Sequence, residues 1–279
     1  MTDEVNRIAG LRDPFELLRQ ATTRMAEAQG EVTELARLRR RVIQELHDGG
    51  MSFADIAEQV GLTRGRIHQI KHAGPAPEGA FLGNGSVTIA TPLKQEAIRA
   101  RPVVAIEDVT GAQRLGELAQ QFGLTPFYEH IPIGGAIDLN RPNLVVISGP
   151  RISPAVADVL AHDSVHQFAR AKDGPWTLVD RRSGIVFRSG QDEEPSRSWD
   201  VAYLGRLPRP DGKGSLIVFT GIHPPGSLGV VQYLCTRITD LFGELSTRPF
   251  SVLIGTEFDP TTHEPLNVEP LTPVYQMEG

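Results

Sequence analysis

Apolar residues fall into two textures along the chain. Up to about residue 72 they recur every three or four positions, the period of a helix. Leu11, Phe15, Leu18, Thr22 and Met25 follow a 4-3-4-3 spacing, which suits a partner helix in a dimer or packing back onto the same domain. Asp13-Pro14 reads as an N-cap followed by proline at the first helical position, and the DGG at 48–50 stops the run. One long helix is expected there, with a break near Gly30. A short helix follows from Ser52, with Phe53, Ile56, Ala57 and Val60 on one face and Gly61 at its end. Thr63 caps the next helix, whose Ile67 and Ile70 face inward. Helix, glycine turn, helix over 52–72 is the order of a helix-turn-helix.

AGPAPEG at 73–79 breaks the helical pattern. This predicts a helical domain over 1–83 and a second domain over 84–279. From Ser86 onward, short β-rich runs alternate with helical ones. VVAIED (103–108) is expected as a strand before a helix at 112–122, NLVVIS (143–148) before 154–161, and SLIVFT (215–220) before 227–242. Such alternation predicts an α/β fold with a largely parallel sheet covered on both faces. WTLVD, GIVFRS and VAYLGRL read as further strands, and the turn PRPDGKG joins the last of them to SLIVFT. An antiparallel portion is therefore expected beside the parallel one.

Composition adds bounds. With 279 residues, 40% hydrophobic and 22% charged, the chain suits a soluble protein of two domains. It shows no secretory signal and no run of apolar residues long enough to span a membrane, so a cytoplasmic location and no membrane partner are expected. Its one cysteine, Cys235, sits in an apolar helical pattern and reads as a small buried hydrophobe. No Cys/His cluster has zinc-ligand spacing, and neither a metal site nor a cofactor is expected.

The net charge of −6 is unevenly spread. Residues 36–75 carry seven basic residues (Arg37, Arg39, Arg40, Arg41, Arg64, Arg66, Lys71) against four acids, a local balance of +3. A basic module on an acidic body is compatible with nucleic acid, because the local patch governs that encounter. Winding residues 63–72 at about 100° per residue puts Gly65, His68, Gln69 and His72 opposite the isoleucines, flanked by Arg64 and Arg66. Donors and acceptors would then face base edges while guanidinium groups hold phosphates. Lys71 and the run Arg39, Arg40, Arg41 complete the expected contacts with double-stranded DNA.

The segment GMSFADIAEQVGLTRGRIHQIKH resembles region 4 of the sigma-70 family, in which such a glycine-led helix, turn and recognition helix read a promoter element. The resemblance implies capping by Thr63, DNA contacts from Arg64, Arg66 and Gln69, and core roles for Ile67 and Ile70. Gly65 and His68 stand where the family usually has glutamate and arginine, so its base preference does not carry over. The resemblance spans about residues 36–72, with no counterpart of the polymerase-binding regions. The layout as a whole also resembles a group of actinobacterial proteins that join this module to an α/β domain.

In the second domain, three strand ends carry candidate chemistry. ISGPRISP (147–154) offers Ser148, Gly149, Arg151 and Ser153 to an anion; TGIHPPGSLG (220–229) offers His223, Gly226 and Ser227; and VVAIED is expected to end its strand in Glu107 and Asp108. Such loops gather at the carboxyl edge of an open α/β sheet. Neither loop fits a named nucleotide motif. A pairing of Asp200 with Arg206 is a further expectation. The leading functional expectation is a DNA-binding transcriptional regulator whose α/β domain senses an anionic or nucleotide-like ligand. One alternative is a nucleotide or NAD glycosidase with Glu107, Asp108 or His223 as catalytic candidates. The other is an adaptor that binds a protein.

Overall fold

The structure, a computed structural model, describes residues 3–170, 172, 174–194 and 196–277. The chain divides between Ala80 and Phe81 into two compact units. The first is helical: α1 (Asp3–Ala9), α2 (Pro14–Asp48), α3 (Phe53–Gln59) and α4 (Arg64–Ala73). Asp13 caps α2, accepting from the Phe15 amide. The helix runs unbroken through Gly30, where the sequence pattern predicts a break. One glycine costs only about 1 kcal/mol in a helix, too little to outweigh the flanking helix formers. Gly49 ends α2, and Gly50 takes a left-handed φ of 99°. Ile43, Ile56, Ala57, Ile67 and Ile70 form the unit's small core.

The second unit begins with β1 (Ser86–Pro92), the ribbon β2 (Lys94–Gln95) and β3 (Pro102–Val103), α5 (Ile106–Gln121) and β4 (Thr125–Ile131). Next come β5 (Leu144–Ile147), α6 (Pro154–Leu160), β6 (His166–Arg170), β7 (Trp176–Asp180) and β8 (Val186–Arg188). The unit closes with β9 (Trp199–Pro208), β10 (Ser215–Gly221), α7 (Pro224–Leu245), β11 (Phe250–Phe258), β12 (Pro265–Pro270) and β13 (Tyr275–Gln276).

The main sheet has the order β12-β11-β9-β10-β5-β1-β4, with β13 also on β11. Strands β4, β1, β5 and β10 are parallel, and β9, β11, β12 and β13 extend the sheet antiparallel. The central strands are apolar on both faces, as a doubly covered sheet requires. Val145, Ile147, Ile217 and Phe219 pack with α5 and α7 on one face; Leu144, Val146, Leu216 and Val218 pack with α6 on the other. Each fully buried branched side chain contributes about 1.5–3 kcal/mol, so this double layer dominates the unit's stability. Cys235 is half-buried against the α7 side of the core, and burial raises its thiol pKa.

Three details depart from the sequence pattern. VVAIED is not a strand of the main sheet: only Pro102–Val103 pair, with β2, and the chain then turns into α5. The parallel strand before α5 is β1 instead. Both carboxylates, Glu107 and Asp108, therefore lie in the first turn of a helix, where its dipole favours negative charge. WTLVD and GIVFRS belong to a separate three-stranded sheet, β6-β7-β8. Finally, α7 starts at Pro224, three residues before Ser227.

Candidate nucleic-acid interface and ligand cleft

The helix-turn-helix is fixed by local chemistry. Ser52 and Asp55 form a reciprocal capping box at the start of α3. Gly61 follows with φ 68°, and the Leu62 amide reaches back to the Ala57 carbonyl at 2.9 Å. This is a glycine-type C-cap that reverses the chain within a few residues. Thr63 then caps α4 by accepting from the Arg66 amide at 3.1 Å.

Ile67 and Ile70 are buried while Arg64, Gly65, Arg66, His68, Gln69 and His72 are exposed. The Arg66 guanidinium donates to Gln69 Oε1 at 2.6 Å, and the rings of His68 and His72 lie 4.3 Å apart. The outer face is thus an ordered row of donors. The amide nitrogen of Gln69 and one lone pair of its oxygen stay available, which is what bidentate pairing with adenine uses.

The flanking basic residues have other engagements. Lys71 Nζ sits 4.8 Å from the Phe53 ring centroid, which holds it toward α3. Arg40 donates to the Gly74 carbonyl at 2.6 Å and ties α2 to the end of α4. Arg41 lies 3.7 Å from Glu45, and Arg39 is exposed.

In the second unit, the chain leaves β1 through α5 to reach β4 on one side, whereas β5 lies on the other side of β1 and leads into α6. Helices α5 and α6 cover opposite faces. The carboxyl ends of β1 and β5 therefore diverge at a topological switch point, the usual place for a ligand crevice. A cleft open to solvent lies there. Its walls are Pro92 and Lys94 after β1, Ser148–Ile152 after β5, Thr220–Pro224 after β10, Asp108 of α5 and Ser227 of α7. Phe168 and Trp176 of the small sheet close one side. Gly149 is required here, since a Cβ would meet Thr220 Oγ1 at 2.6 Å.

Asp108 is 3% exposed, and burial raises its carboxyl pKa to about 6, with Lys94 opposing the shift. Lys94 Nζ stands 3.5 Å from Asp108 Oδ2. Among the described residues, Asp108 Oδ2, Ser148 Oγ and Trp176 Nε1 are buried without a hydrogen-bond partner. Unsatisfied buried polar atoms are costly, at about 1–3 kcal/mol each, and their presence around the cleft suits a polar ligand. His223 Nε2 bonds Asp192 Oδ1 at 2.9 Å.

Of the residues expected at this site, the fold brings Asp108, Ser148, Gly149, Arg151, His223 and Ser227 to the cleft. Three others face elsewhere. Glu107 pairs with His263 Nδ1 at 2.5 Å. Ser153 is fully buried and donates to the Gly135 carbonyl at 2.6 Å. The amide of Gly226 is taken by Asp200 Oδ2 at 3.1 Å, which also accepts from His223 N at 2.9 Å. The start of α7 is thus capped by the chain's own carboxylate and does not offer these amides to an anion. Asp200 does not pair with Arg206 either. Six residues of strand separate them by about 20 Å, and Arg206 donates instead to Ser215 Oγ and the Phe81 carbonyl. The sequence pattern did not point to Lys94, Phe168, Trp176 or Thr220.

Among the described residues no group of three or more His, Cys, Asp or Glu could hold a metal ion, and no helix is long and apolar enough to cross a membrane. No curated protein and no solved structure matches the chain. The family model for sigma-70, region 4, does match residues 33–74, so the stretch from the second half of α2 through α4 is similar to sigma-70 region 4 and is its type of helix-turn-helix.

Proposed function

We propose that this chain is a sequence-specific DNA-binding transcriptional regulator in which α4 enters the major groove and the cleft of the second unit senses an anionic or nucleotide-like ligand. The observation that carries the DNA half is the division of α4: isoleucines inward, and Arg64, Arg66, His68, Gln69 and His72 together outward, within a segment matched by sigma-70 region 4. Arg64 and Arg66 hold phosphates, Gln69 reads a base edge, and Arg39, Arg41 and Lys71 add charge near the backbone. The ligand half is supported by the cleft at the switch point, with its buried Asp108 beside Lys94 and its buried Ser148 hydroxyl without a hydrogen-bond partner. A ligand that prefers one of two arrangements of the protein changes DNA affinity by that preference, whereas one binding both equally changes nothing. The exposed stripe Phe15, Leu18 and Met25 on α2 has coiled-coil spacing and supports pairing with a second copy.

A hydrolase reading has one observation in its favour: Asp108, a buried carboxyl poised near neutrality within a cleft. Incubating the full chain with a mixture of nucleotides, NAD and cyclic nucleotides separates the two readings by mass spectrometry. Retention of a compound without loss, together with changed mobility of a protein–DNA complex, is the sensor result. Consumption of a compound is the hydrolase result and overturns the sensor. Neither retention nor consumption removes the ligand half and leaves an adaptor.

A further inference from the structure

The chemistry of the cleft narrows the class of ligand. Lys94 and Asp108 stand 3.5 Å apart, so that among the described residues of the walls Arg151 is the Lys or Arg side chain outside an ion pair. A nucleoside triphosphate brings several negative charges and would face the buried carboxylate of Asp108 with Arg151 to balance them, whereas a single negative charge is matched. The second obstacle to a polyphosphate is the start of α7. Its Gly226 and His223 amides are held by Asp200, and Ser227 Oγ accepts the Gly221 amide at 2.8 Å. The first turn of α7 is therefore not free to cradle a phosphate chain.

The remaining groups ask for a ligand with both donors and acceptors. Asp108 Oδ2 has Lys94 Nζ beside it at 3.5 Å, Trp176 Nε1 lacks an acceptor, and Ser148 Oγ can serve as donor or acceptor. Sugar hydroxyls and a base edge provide both, and Trp176 with Phe168 provides aromatic surface for a base.

Resting on the sensor reading above, we infer that the cleft takes a nucleoside carrying one phosphodiester charge, of which a cyclic mononucleotide is the simplest form, and selects against polyphosphates. The base edge and sugar meet Asp108, Ser148 and Trp176, and the phosphodiester meets Arg151.

The chain's two tryptophans provide the assay. In the full-length Trp199→Phe protein, Trp176 alone reports, and equilibrium dialysis measures binding independently of emission. The expected result is saturable binding of 3′,5′-cyclic AMP or cyclic GMP at least about ten-fold tighter than the matching triphosphate. Arg151→Ala weakens it by about ten-fold or more, as expected when one charge-assisted hydrogen bond is removed, and Ser148→Ala weakens it several-fold with unchanged circular dichroism. Tighter binding of the triphosphate overturns this inference and leaves the nucleotide-sensor reading standing. Cyclic nucleotide binding that is indifferent to Arg151→Ala places the ligand elsewhere and also overturns it. No binding of any nucleotide by dialysis removes the inference and its parent reading together.

Discussion

Asp200 is fully buried on β9 and holds the first turn of α7, one wall of the cleft, through the amides of His223 and Gly226. Burial raises its carboxyl pKa from 3.8 to about 6, with the His223 amide opposing. The shift is about 2.2 units at 1.36 kcal/mol each, so the ionised carboxylate costs the folded unit about 3 kcal/mol at pH 7. Because the folded value lies above the unfolded one, this contribution favours the fold below pH 3.8 and is lost as pH rises through 6. Lowering pH from 7 to 5 should return about 1 kcal/mol. Asp200→Asn is neutral at both pH values, and its amide oxygen still accepts the two backbone bonds, so that gain should vanish. Asp108 shifts in the same direction, and buried His166, its pKa lowered by burial, in the opposite one. Both are present in parent and variant and cancel in the comparison. Urea unfolding at pH 7 and pH 5, followed by tryptophan emission, isolates the second unit because Trp176 and Trp199 both lie there. If Asp200→Asn gains as much from acidification as the parent, the assignment of Asp200 as a buried, ionised cap is wrong.

Other predictions follow from the first unit. Ile67 is fully buried between α3 and α4, so Ile67→Ala should destabilise the helical unit by about 2–5 kcal/mol and abolish DNA binding; unchanged thermal melting by circular dichroism at 222 nm would contradict its core role. Replacing both Arg64 and Arg66 by alanine should flatten the dependence of log affinity on log salt by about two units, close to one for each phosphate no longer neutralised, and an unaltered slope in anisotropy titrations would place the phosphate-binding groups elsewhere. Phe15 is 73% and Leu18 63% exposed, so if the α2 stripe joins two copies, glutamate at both positions should convert a dimer to a monomer in light scattering; a parent protein already monomeric would refute that pairing.

The helix-turn-helix was legible in the sequence because everything that fixes it is local. Ser52 and Thr63 cap amides within three residues, Gly61 supplies one left-handed turn, and the isoleucines mark a face by spacing alone. Strands β5 and β10, with α6 and α7, were legible as apolar runs followed by proline-led helix starts. Strand β1 was missed because SVTIATP is rich in hydroxyl side chains, and its burial comes from the two cores that cover the sheet, Val87 and Ile89 in one and Ala90 in the other. VVAIED carried the apolar content of a strand, yet its end serves as a helix start with two carboxylates in the first turn. Misplacing that strand hid Lys94, which follows the true one. The roles of Glu107 and Asp200 depend on His263 and on the turn after β10, partners 156 and 23 or more residues away, and no local pattern announces such pairings.

Whether the outer face of α4 reads DNA is decided by repeated selection of duplexes from a random-sequence library by the purified full-length chain, run in parallel with the Arg64→Ala/Gln69→Ala protein shown by circular dichroism to be folded. A discrete motif should be enriched by the parent and lost by the double variant. Retention of no duplex even at low salt, or the same motif enriched by both proteins, would contradict that role of α4.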